Sequence, residues 1–257
     1  MNKKTWVAIG DSFTYIDEHL DETNYRIQEG YVTKTQKLLP FDTDVIHVAI
    51  NGGKTIHFVG MDFPKGDFYS ILLGINDWNS CGNPPLGKVE DFKDEDSRTT
   101  IGCLGWIVRK IRSVAPTAPI FIASPVEHGW FIYQFDYRNN TQDTGNPNSI
   151  GIYCRDYGNL YRHLEDPSHG IYYINTHDEA GFTPENAVKF LRRQENGKTV
   201  DVPFEVFSKE TFDSNRYRAY PYPKEAEDMT YDGLHPSEKG GEALAKVFAK
   251  RIKEVIR

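Results

Sequence analysis

Trp6-Val7-Ala8-Ile9-Gly10-Asp11-Ser12-Phe13 is the stretch that sets the fold. Four apolar residues stop abruptly at Gly10-Asp11-Ser12, and the chain turns apolar again at Phe13. A short unbroken apolar run suits a strand covered on both faces, as in a parallel sheet. Ser12 then stands just past the carboxyl end of that strand. There it is either the cap of a first helix or a nucleophile. Asp11 beside it reads as the residue that holds the turn.

The same rhythm recurs along the chain. Val45–Ile50, Phe68–Leu73, Ile120–Ala123 and Ile171–Ile174 are further strand-length apolar runs bounded by Gly, Pro, Asn or Asp. Helical periodicity fills the intervals. Tyr31–Leu39 and Ile101–Val114 each gather apolar residues on one side, and Pro116 stops the second. Ile150–Leu164 is a less regular helix. Ser237–Ile256 carries Leu244, Val247, Phe248, Ile252 and Val255 as a stripe, with lysines opposite. Alternating strands and helices predict a doubly wound α/β fold with right-handed crossovers.

One region, about 177–230, departs from this rhythm. Thr183-Pro184 resembles a helix start, and Asn196-Gly197 is a turn signal followed by strand-like Thr199–Phe207. An inserted helix and a small hairpin are expected there. With no linker-like change in composition, residues 1–257 read as one domain.

Composition narrows the function. The chain has 257 residues, 39% hydrophobic and 26% charged, with a formal net charge of −7. That charge disfavours nucleic acid and anionic membranes as partners. No apolar run reaches the length of a membrane span. The start MNKKTWVAIGDSF has no h-region and no cleavage site, which points to the cytoplasm, with a secreted mature form as the alternative. Three scattered cysteines, Cys81, Cys103 and Cys154, suggest a reducing compartment rather than a disulfide framework. Cysteine and histidine spacing gives no zinc motif. No cofactor or metal is expected.

Three more fragments carry chemistry. The second strand ends in AINGGKT (49–55), the third in LLGINDW (72–78), and YDGLHPSEKGG (231–241) precedes the last helix. In an open parallel sheet, groups just past the carboxyl ends of neighbouring strands meet in one crevice. Acyl transfer needs a nucleophile, a base, a group that orients the base, and donors for the oxyanion. Ser12 offers the hydroxyl, His235 the base, and Asp232, three residues earlier, the orienting carboxylate. The N–H groups of Ser12 and Gly53 and the amide of Asn76 are candidate oxyanion donors, with Gly52 the alternative to Gly53.

GDS near the start, a glycine after the second strand, GxND after the third and DxxH before the last helix together resemble the SGNH/GDSL hydrolase superfamily. The likeness covers most of the chain and keeps the family's order. It implies a three-layer α/β/α sandwich around a flavodoxin-like five-stranded parallel sheet in the order 2-1-3-4-5. It implies Ser12, Asp232 and His235 as a catalytic triad, and Ser12, Gly53 and Asn76 as the oxyanion hole. Gly53 fits better than Gly52 because the family's glycine commonly precedes one residue and then Thr or Ser. The segment before Asp232 is longer than the family's pattern.

Other residues receive plainer readings. His177-Asp178, after the fifth strand, is a rival for the same crevice. His128 and His169 read as solvated loop residues, and Asp77 as a turn or supporting residue. A metal centre of Asp11, Asp232 and His235 lacks the expected HxxE or HExxH spacing. Aromatic stretches such as HGWFIYQFDY (128–137) and YRAYPYP (217–223) suit a sugar-stacking wall, an acyl pocket or simple loop packing. The expectation is a cofactor-free serine esterase acting on a small-molecule or polysaccharide ester, with a carbohydrate O-acetyl group preferred. Lipase, lysophospholipase or thioesterase activity is the runner-up. An idle carbohydrate-binding module is the alternative of another class.

Overall fold

The structure, a computed structural model, describes residues 3–23, 25–80, 82–94, 98–129, 143–203, 206 and 222–256. Five parallel strands form the central sheet: β1 (Lys4–Gly10), β2 (Thr43–Ala49), β3 (Phe68–Leu72), β4 (Ile120–Ala123) and β5 (Ile171–Ile174). Their order is β2-β1-β3-β4-β5, as expected. Every residue of β3 and β4 is buried, so helices must cover both faces of the sheet. This is why the strands are continuous apolar runs. Each fully buried Val, Ile or Phe contributes roughly 1.5–3 kcal/mol. At the edge, β2 alternates and stays partly exposed.

The helices are α1 (Ser12–Tyr15), α2 (Tyr31–Leu38), α3 (Ile75–Asn79), α4 (Asp91–Asp94), α5 (Thr100–Val114), α6 (Cys154–Arg162), α7 (Thr176–Glu179) and α8 (Glu238–Val255). Together with the sheet they make the three-layer sandwich. Helices α2 and α8 lie against one another, with the Tyr31 and Phe248 ring centroids 4.9 Å apart. Ser237 caps α8 by accepting from the Gly240 N–H. Such a cap is worth about 1 kcal/mol and fixes where the preceding turn ends. Among the described residues, no helix is long and apolar enough to cross a membrane.

Two expected helices shorten. The Ile150–Leu164 pattern becomes helical only from Cys154. Asn148 Oδ1 takes the N–H groups of Ile150 and Ile152, holding residues 148–152 in a turn. After Thr183 the chain makes a single 3-10 turn, Pro184–Asn186, whose Asn186 side chain folds back on the Thr183 N–H. Val188 then pairs with Glu227 and the chain enters a strand instead. The hairpin forms around Asn196-Gly197 from β6 (Phe190–Glu195) and β7 (Lys198–Pro203). It has a small apolar cluster of its own, Val188, Leu191, Val202, Tyr222 and Ala226. The end of the expected Thr199–Phe207 strand, most of both aromatic stretches and Cys81 lie outside the described residues.

Candidate active site

Register brings the expected residues to one rim. Gly10, at the end of β1, pairs with Ala49 of β2 and Leu72 of β3. Ser12, Gly53 and Asn76 therefore leave neighbouring strands at the same level. Gly10 is required there: a Cβ would meet the Thr14 hydroxyl at 2.0 Å. Asp11 caps α1 by accepting from the Phe13 N–H at 3.0 Å, so Ser12 is the first helical residue and not the cap. Gly74, with φ of 120°, turns β3 into α3, and a Cβ on it would strike the Tyr161 hydroxyl at 2.5 Å.

From the far end of the chain comes His235. Its Nε2 is 2.9 Å from Ser12 Oγ, and its Nδ1 is 2.6 Å from Asp232 Oδ2. The carboxylate only accepts, so Nδ1 carries the hydrogen and Nε2 accepts from the Ser12 hydroxyl. Asp232 Oδ1 also accepts from the N–H groups of Leu234 and His235, at 3.0 and 2.7 Å. Asp232 is thus buried with three donors on it. The His235 ring lies between Tyr231, stacked at 20° with centroids 5.8 Å apart, and Phe13, tilted at the same distance.

Burial alone would push the His235 pKa down. The Asp232 charge, its hydrogen bond and the Asp11 charge outweigh burial and raise it above 6.5. Asp11, itself buried, is pushed up to about 7 by desolvation, against the Phe13 N–H and the attraction of His235. A serine hydroxyl bonded to an imidazole that a carboxylate orients is set to give up its proton as it attacks a carbonyl carbon.

The oxyanion candidates are arranged less uniformly. Asn76 Nδ2 donates to the Gly53 carbonyl at 3.1 Å, which leaves its second amide hydrogen. The Ser12 N–H, at the first position of α1, has no partner within the helix. Gly53 differs from expectation, because its single N–H closes a turn on the Ile50 carbonyl at 2.8 Å. Gly52, the alternative, sits at φ of 68°.

Sequence reasoning left Asp77 between two roles and misplaced His128. Of the two roles, Asp77 takes the supporting one. It is fully buried and accepts from the Thr55 N–H (3.1 Å), the Thr55 hydroxyl (2.5 Å) and the Thr100 hydroxyl (3.1 Å). It ties the Gly53 loop to α3 and to the start of α5. Burial raises its pKa to about 6 despite those donors. His128, expected to be solvated, is fully buried. Its ring meets the edge of Trp78, Thr144 bonds its backbone on both sides, and burial pushes its pKa down to about 4. No local signal separates either residue from an ordinary loop residue, since their partners are remote in sequence. The rival pair stands apart from the Ser12–His235–Asp232 chain: His177 faces Glu127, and Asp178 pairs with Arg162. His169 is exposed, as expected, beside Asp166. Among the described residues, no group of three or more His, Cys, Asp or Glu side chains is placed to hold a metal ion.

Comparison with known proteins shows the family. The family model for GDSL-like lipases/acylhydrolases matches residues 8–243. A crystal structure described as a possible lipase from Chitinophaga pinensis is 32% identical, with a TM-score of 0.83, covering 98% of this chain and 99% of that one. A lipase/acylhydrolase from Enterococcus faecalis shares the fold at 14% identity, with a TM-score of 0.51, over 98% and 96% of the two chains. No curated protein matches. Matched by the family model over nearly its whole length and by a third-identical relative end to end, the chain belongs to the GDSL-like lipase/acylhydrolase family and is an ester hydrolase.

Proposed function

We propose that Ser12 is the nucleophile of a serine esterase acting through an acyl-enzyme. Ser12 Oγ attacks the ester carbonyl carbon as His235 Nε2 takes its proton. Asp232 holds the imidazole in the right tautomer and stabilises the imidazolium. The tetrahedral oxyanion is met by the Ser12 N–H and the free hydrogen of the Asn76 amide. The Gly53 N–H joins them once its bond to Ile50 opens. The C–O bond then breaks, and His235 returns the proton to the leaving alcohol. Water, deprotonated by His235, attacks the acyl-enzyme and releases the acid and Ser12.

One observation carries this reading: the unbroken hydrogen-bonded chain from Ser12 Oγ through His235 to Asp232, at 2.9 and 2.6 Å. The preferred substrate is a carbohydrate O-acetyl ester, supported by the partly exposed Glu127 and His177 on the loops after β4 and β5. The test is p-nitrophenyl acetate turnover by the wild type and Ser12→Ala, then a comparison of acetyl, butyryl and octanoyl esters and acetylated xylan or pectin. Turnover lost with Ser12 and greatest for acetyl groups supports the proposal. The name of the Chitinophaga relative favours a second reading, a lipid ester, and a rate climbing steeply with chain length would select it.

A further inference from the structure

The loops after β4 and β5 open at the same rim as Ser12, because Leu72, Ala123 and Ile174 lie side by side across β3, β4 and β5. The β4 loop is joined to the turn bearing Asp232 and His235: the Gly129 N–H donates to the Gly233 carbonyl at 2.9 Å. On this loop Glu127, its side chain 24% exposed, has its Oε1 3.7 Å from His177 Nε2. That is beyond hydrogen-bond distance. Burial raises the Glu127 pKa, and Glu185 and Asp178 push the same way against His177 and Arg155.

His177 is held in place through its backbone, whose N–H donates to Ser124 Oγ at 3.0 Å, yet its buried ring Nδ1 has no partner. His128, next to Glu127, is fully buried with its Nδ1 on the Gly129 carbonyl at 2.6 Å. A carbonyl only accepts, so this nitrogen carries the hydrogen. The neutral ring is left with an Nε2 lone pair, and this buried atom has no partner either. Both nitrogens are sealed from solvent and out of a substrate's reach; the partly exposed Glu127 carboxylate, which stops short of His177 Nε2, is the group with acceptor capacity to offer. None of the three side chains belongs to the Ser12–His235–Asp232 chain. The group suited to Glu127 and His177 is a hydroxyl, which can donate to the carboxylate and bond the His177 Nε2 that the carboxylate does not reach.

We propose that Glu127 and His177 form a subsite for the hydroxyls of the leaving alcohol, so that the ester's alcohol portion is a sugar or other polyol. This rests on the esterase reading above. Ser12 sets the chemistry, and the β4–β5 rim selects what the acyl group is released from. Sites built to bond a hydroxyl reject analogues lacking it far more strongly than apolar pockets reject a change in size.

The test takes the ratio of kcat/KM for monoacetylated xylobiose to that for p-nitrophenyl acetate, in the wild type, Glu127→Gln and His177→Asn. Both substrates are read on the same sample, so the ratio does not depend on how much of a variant folds. The ratio is expected to fall about tenfold or more in each variant, mainly through KM for the sugar ester. An unchanged ratio in both variants would overturn the subsite. So would a wild type that turns over p-nitrophenyl acetate but not the sugar ester. A wild type inactive on p-nitrophenyl acetate would instead overturn the esterase reading, and the subsite with it.

Discussion

The two halves of the rim are built differently. Around β1, β2 and β3, every buried carboxyl has donors: Asp232 has three, Asp77 has those of Thr55 and Thr100, and Asp11 has the Phe13 N–H. Around β4 and β5, Glu127 stops short of His177, and two ring nitrogens have no partner. In the first half the Ser12–His235–Asp232 chain is joined before any substrate arrives, as electrostatic preorganisation requires, while the Gly53 N–H must still leave Ile50. The second has polar capacity to spare. One half is suited to making and breaking bonds, the other to recognising what is attached.

That contrast can be broken at several points. Replacing Ser12 with Ala should cost most, about 10⁶-fold in kcat, measured by p-nitrophenyl ester turnover. Turnover within tenfold of wild type would remove the first half's role altogether. Asp232→Asn should follow, at about 10⁴-fold, because an amide in place of the carboxylate favours the wrong imidazole tautomer. Asn76→Ala should lower kcat by roughly 10²–10³-fold with little change in KM, since its free amide hydrogen meets charge only in the transition state. An effect confined to KM would move Asn76 to the binding half.

The smallest effect is on pH dependence. Only the neutral imidazole can take the Ser12 proton, and His235 keeps its own proton to higher pH than an ordinary histidine. The acid limb of kcat/KM should therefore lie above pH 6.5, with activity rising as pH climbs through it. Because the Asp11 charge helps raise the His235 pKa, Asp11→Asn should shift that limb to lower pH. A pH–rate profile in which Asp11→Asn moves the limb upward would contradict the placement of these charges.

How far the primary structure foretold this differs between the halves for the same physical reason. The inner strands were legible because burial on both faces leaves unbroken apolar runs, Phe68–Leu72 most plainly. Ser12, Asp232 and His235 were legible because short chain segments with fixed turns carry them, and the Asp232–His235 contact spans only three residues. The partners of Asp77 and the burial of His128 were not. Thr55 and Thr100 come to Asp77 from 22 and 23 residues away, and Thr144 reaches His128 from 16. The bond from the Gly53 N–H to Ile50 was not legible, because a peptide's orientation within a turn leaves no mark on residue type. The helix expected after Thr183 failed because propensity at a Pro184 start lost to the pairing of Val188 with Glu227.

The central claim is that Ser12 Oγ is the atom that becomes acylated. Exposing the wild type to a p-nitrophenyl alkylphosphonate and mapping the adduct by peptide mass spectrometry tests it most directly. One covalent phosphonyl group on Ser12, formed as esterase turnover disappears and absent from His235→Ala, is the predicted result. An adduct on another residue, or full inactivation with Ser12 unmodified, would contradict it.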